Sequence, residues 1–103
     1  MDRIAMLNEI LQQSPNDAFA RYGLAMEYSK QGETQRALDE FGKLLAANPD
    51  YTPGYFMCAQ TLAQAGRTDE AKTRLRDGIA SAKRTGNGHA QSEMEAMLDE
   101  LGG

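Results

Sequence analysis

Valine is absent from this chain, and isoleucine stands only at Ile4, Ile10 and Ile79. A sheet needs β-branched and aromatic side chains on its pleated face, so the shortage excludes extensive β-structure. The single cysteine, Cys58, permits no internal disulfide and agrees with a reducing compartment. The single histidine, His89, leaves no pair for a metal or a proton relay. No apolar run approaches the roughly 18 residues of a membrane span. Met1-Asp2-Arg3-Ile4 lacks the basic start and apolar stretch of a secretory leader. A cytoplasmic protein with no membrane partner is expected.

Basic residues are also in deficit, 11 Lys and Arg against 15 Asp and Glu, for a formal charge of -4. A general nucleic-acid binder needs excess cation to displace counterions from phosphates, so no nucleic-acid partner is expected. The clusters Lys72, Arg74, Arg76 and Lys83, Arg84 are interleaved with Asp69, Glu70 and Asp77, as on a solvated, salt-bridged helix face.

What remains is rich in helix formers, and 103 residues suffice for one domain with a modest core. The positive signal is a repeat. Pro15 and Pro49 are 34 residues apart, as are Gly32 and Gly66, Thr34 and Thr68, and Ala37 and Ala71. A period in this range marks stacked helix-turn-helix units, each leaving an apolar side for its neighbour.

Helical spacing of Ile4, Leu7, Ile10 and Leu11 predicts a first helix capped by Asp2. Ser14-Pro15-Asn16 ends it, and Asp17 is placed to cap a second helix running to Gln31 before Gly32. Thr34 is the expected cap of a third helix, closed by Asn48-Pro49-Asp50. Thr52 caps the fourth, with Pro53 at its first position, and Thr68 caps the fifth. Lys83 stands where a third proline is due, so the fifth helix should continue to about Thr85. After the loop Gly86-Asn87-Gly88, the stripe Ala90, Met94, Met97, Leu98, Leu101 predicts a sixth helix.

The residues Arg21, Leu24, Ala25, Tyr28, Ala37, Phe41 and Pro49 resemble the tetratricopeptide repeat signature, matching it at five of seven positions. Ala25 remains small where the family has Gly, whereas Arg21 cannot act as the buried aromatic. The second unit, Tyr55, Cys58, Ala59, Leu62, Ala71, Leu75 and Lys83, keeps the sizes but only Ala71 identically. The resemblance implies an all-α, right-handed superhelix. Its parts would be a half repeat (1–15), two repeats (17–49 and 51–85) and an out-of-register capping helix (89–101).

In this family the first helix of each repeat lines a concave groove. By position that lining is Phe19, Tyr22, Met26, Ser29 and Lys30, then Phe56, Met57, Gln60 and Gln64. The helical wheel agrees: Phe19, Tyr22 and Met26 point nearly opposite to Leu24 and Tyr28. Aromatic and Met side chains suit a protein partner bound through a short apolar or amphipathic segment. Alternatively, a terminal helix covers this face as core. Tyr22, Met26 and Met57 occupy positions where relatives that clamp acidic chaperone tails carry Lys and Asn, which argues against that specialisation.

No enzyme and no cofactor are expected. Cys58 falls where the family has Leu and reads as core, not nucleophile. The pairs Asp39/Glu40, Glu93/Glu95 and Asp99/Glu100 read as solvating charge. A competing class is self-assembly: Ala5, Met6 and Ile10, on a half repeat lacking its partner helix, would support a homodimeric scaffold.

Overall fold

Carboxylate caps begin the first two helices of the computed structural model, which describes residues 2–103. Asp2 Oδ1 accepts from the Ala5 N–H at 2.8 Å, and Asp17 Oδ1 from the Ala20 N–H at 2.9 Å. Helix α1 spans Arg3–Gln13, α2 Ala18–Lys30, α3 Thr34–Ala47, α4 Thr52–Gln64, α5 Thr68–Thr85 and α6 Gly88–Glu100. There is no strand among the described residues. Met1, with which the half repeat was expected to begin, lies outside them.

The threonine caps do not form. Thr34, Thr52 and Thr68 are already the first helical residues, after Glu33, Tyr51 and Arg67, which make no side-chain cap bond. At Thr34 and Thr68 the cause is the preceding turn. Gly32 and Gly66 take φ of +78° and +77°, which a side chain would strain. The next N–H groups then reach back to the Tyr28 and Leu62 carbonyls at 2.9 Å, closing the helix end. The chain re-enters a helix at once, with no extended residue for a cap. Thr52 spends its hydroxyl inside, 3.0 Å from Ser81 Oγ between α4 and α5.

Helix α5 runs past Lys83 to Thr85 as its missing proline implies. The loop after it is shorter than expected, because Asn87 caps α6 through the Ala90 N–H at 3.1 Å and Gly88 is already helical.

Consecutive helices pack against each other, and α2 also meets α4, which meets α6. The stack therefore has two layers: α2, α4 and α6 on one side, α1, α3 and α5 on the other. Ala25, Ala37, Ala59 and Ala71 are wholly buried where the layers meet, and Phe41, Leu44, Leu75 and Met94 fill the space around them. Alanine at those positions lets backbones approach, and the large side chains interlock beside them. Leu7, Leu11, Ala20 and Leu24 form a second buried group that fastens α1.

Two polar positions are tighter than the sequence implies. Arg21 donates to the Pro15 carbonyl at 3.1 Å, and Tyr55, 34 residues later, donates to the Pro49 carbonyl at 2.7 Å. The arginine thus makes the aromatic's hydrogen bond while its guanidinium pairs with Glu40. Glu40 is accordingly not solvating charge: the two side chains are only 18% and 13% exposed. Burying one without the other would leave an uncompensated charge, which explains their pairing across α2 and α3.

Candidate functional site

The inner faces of α2, α4 and α6 form the candidate surface. Helix α4 (Thr52–Gln64) contains no Asp, Glu, Lys or Arg. Its floor position follows from that composition, since only uncharged side chains can be hemmed in on both sides at little cost. Tyr22 from α2 and Tyr51, just before α4, bring their rings to 5.4 Å centroid separation, and Phe41 meets Tyr22 nearly edge-on at 6.5 Å. Burial raises the Tyr22 and Tyr51 hydroxyls above the ordinary phenol value, with smaller contributions from Tyr51 and Asp17 respectively. Ser29 Oγ and Thr61 Oγ1 lie 3.0 Å apart, tying α2 to α4 along the same surface.

Two hollows lie side by side over α4. One, of about 240 Å³, is bounded by Tyr22, Thr52, Pro53, Phe56 and Met57 and by His89, Ala90, Glu93 and Met94 of α6. The other, of about 310 Å³, lies between Phe56 and Gln60 and the α6 residues Glu93, Ala96, Met97 and Glu100. Of the residues expected from sequence, Tyr22, Phe56 and Met57 share the first hollow, and Phe56 and Gln60 border the second. Phe19, Met26 and Lys30 lie outside both. Phe19 is 74% exposed, Met26 packs half-buried against the core, and Lys30 stands 3.8 Å from Glu27.

Sequence reasoning missed the wall supplied by α6. Ala90, Glu93, Ala96, Met97 and Glu100 fall on one helical face beside the Met94 stripe, so a wheel of α6 carried the signal. Glu93 and Glu100 were expected only as solvating charge. His89 Nε2 lies 3.8 Å from Glu93 Oε1 on an exposed turn.

A larger hollow, of about 430 Å³, opens on the opposite side of the stack between α3 and α5. Leu38, Cys58 and Leu62 form its base, with Arg67, Glu70 and Arg74 among its charged rim. Cys58 is buried, which pushes its thiol up against the lowering influence of Arg74. A buried, protonated thiol is a poor nucleophile. Among the described residues no group of His, Cys, Asp and Glu is arranged to hold a metal ion, and no helix is long and apolar enough to cross a membrane.

The tetratricopeptide repeat family model matches residues 28–91. A tetratricopeptide repeat-containing protein of Pseudomonas aeruginosa is 26% identical over 95 residues, covering 92% of this chain and 90% of the relative. The solution structure of a tetratricopeptide repeat domain protein from Salinibacter ruber is 32% identical with a TM-score of 0.81, covering 85% of this chain and 89% of that one. The structure of PcrH, a Pseudomonas aeruginosa protein, in complex with the chaperone-binding region of PopD superposes with a TM-score of 0.88. It covers 95% of this chain and 74% of that one at 18% identity, a likeness of fold.

Proposed function

We propose a recognition role for this chain from its family: it belongs to the tetratricopeptide repeats, whose model matches residues 28–91. The protein is an interaction module of helical repeats, and the proposed ligand is a short segment of another protein. It docks along the inner faces of α2, α4 and α6 and the chain acts without catalysis, as an adaptor or assembly factor. Phe19, Tyr22, Met26, Lys30, Phe56, Met57 and Gln60 are the proposed contacts, with Met97 and Ala96 opposite them.

One observation carries this reading. A phenylalanine, Phe19, stands 74% exposed on α2, the helix whose Tyr22 borders the first of two hollows over a floor helix with no charge. Exposed aromatics near a hollow with an apolar floor are the common material of binding hot spots. PcrH, alike in fold, is seen with a bound region of PopD, which supports the same use of this architecture.

Affinity capture from the native lysate tests the proposal. Proteins retained by the wild type are expected to be lost with Phe19→Asp and kept with Thr73→Asp, which lies on the α3–α5 side. Phe19 is exposed enough that the melting temperature should hardly move. Equal retention by both variants would refute the proposed surface.

A second reading rests on α1. Met6 and Ile10 are 43% and 39% exposed, the other large apolar side chains left open to solvent among the described residues. A homodimeric scaffold pairing through that face is the alternative, and Met6→Asp should dissolve it. Light scattering that finds a monomer at all concentrations removes it.

A further inference from the structure

We infer that the segment held over α4 is amphipathic and basic, with Lys or Arg on the flank that faces α6. The inference rests on the concave-surface reading above and concerns its ligand.

Charge around the surface is distributed one-sidedly. The floor helix α4 has no ionisable carboxylate or amine, whereas α6 carries Glu93, Glu95, Asp99 and Glu100 and no Lys or Arg. Glu93 and Glu100 are the two that reach the hollows, Glu93 bordering both. They are seven residues apart on one face, about 10 Å along the axis, with Ala96 and Met97 between them. Neither has a Lys or Arg ion-pair partner among the described residues; Glu93 has only His89, at 3.8 Å. The cations nearest the end of α6 approach from α5 instead. Arg76 donates to the Gly103 carbonyl at 3.2 Å, and Lys72 Nζ comes close to Gly102. They serve the carbonyl end of the helix and leave the hollow-facing carboxylates without a Lys or Arg partner.

A ligand side chain entering either hollow therefore has apolar contact below and, beside it, a carboxylate that no Lys or Arg neutralises. An acidic flank would meet like charge at a separation within the screening length of about 8–10 Å. A basic flank with cations two turns apart would meet both carboxylates at once. Complementarity of this kind sets partner choice and encounter rate more than total affinity.

Fluorescence anisotropy with two synthetic peptides separates the possibilities. Both are amphipathic helices of about 18 residues with the same Leu face, one flanked by Lys and the other by Glu. The Lys peptide is expected to bind roughly five- to tenfold tighter than the Glu peptide, as exposed charge pairs allow. Glu93→Gln/Glu100→Gln should remove that preference. Glu95→Gln/Asp99→Asn, with the same change in net charge on the other side of α6, should keep it.

Equal loss of preference in both double variants would mean a general effect of the acidic chain and overturn the inference. Equal binding of the two peptides, still weakened by Phe56→Ser, would overturn it and leave the concave surface standing. Failure of both peptides to bind, or binding indifferent to Phe56→Ser, would overturn both.

Discussion

Replacing Gly78 with alanine should destabilise the protein even though alanine is the better helix former. Gly78 is buried inside α5, and a Cβ there would stand 2.5 Å from Met94 Sδ and 2.6 Å from Tyr55 Cβ. The Tyr55 atom adjoins the α4 backbone and cannot swing aside, and its hydroxyl is fixed on the Pro49 carbonyl. Met94 is wholly buried, so moving its thioether aside disturbs the packing between α5 and α6. Overpacking of this kind costs about 1–3 kcal/mol. The propensity gain of about 1 kcal/mol offsets only part. A net loss of up to about 2 kcal/mol lowers the melting temperature of a domain this size by up to roughly 15 °C. Gly42→Ala is the control. It lies in α3, and an added Cβ meets nothing within 4 Å, so the same substitution should stabilise by about 0.5–1 kcal/mol. Thermal and urea unfolding followed by circular dichroism at both sites gives the comparison. A Gly78→Ala protein melting at or above the wild type would refute the proposed seating of α6 on α5.

Alkaline pH should weaken the fold. Tyr22, Tyr51 and Tyr55 are raised above 10.0 chiefly by burial, so the folded state holds protons that the unfolded chain releases first. Stability from these groups is intact below about pH 10 and falls above it; a urea midpoint unchanged between pH 9 and pH 11 would contradict this. Cys58, raised above 9.0, should resist a thiol reagent at pH 8 until urea unfolds the chain. A double-mutant cycle on Arg21 and Glu40 should give a coupling of about 1–2 kcal/mol, because both are largely buried. The exposed Arg67–Glu70 pair should show no measurable coupling despite its 2.6 Å separation.

The architecture was legible because it is written in spacing. The 34-residue offsets of Pro15/Pro49 and Gly32/Gly66 set the turns, and the alanines at 25, 37, 59 and 71 set the close contacts. What failed was chemistry decided by tertiary neighbours. Thr34, Thr52 and Thr68 are good caps by type, yet back-bonded glycine turns leave Thr34 and Thr68 no extended residue, and Ser81 claims the Thr52 hydroxyl. Glu40 looks solvated until Arg21 is placed across from it. The candidate surface was half visible: α2 and α4 announce their faces through Phe19, Tyr22, Phe56 and Met57. The α6 wall depended on how the last helix docks, which follows from Met94 entering the space over Gly78.

Photo-crosslinking inside cells addresses the concave surface most directly. A photoreactive phenylalanine analogue at position 19 or 60 should form covalent adducts with another protein, and the same analogue at position 39 or 73 on the opposite side should not. Adducts arising from 39 or 73 alone would place the binding face on the other layer and contradict the proposal.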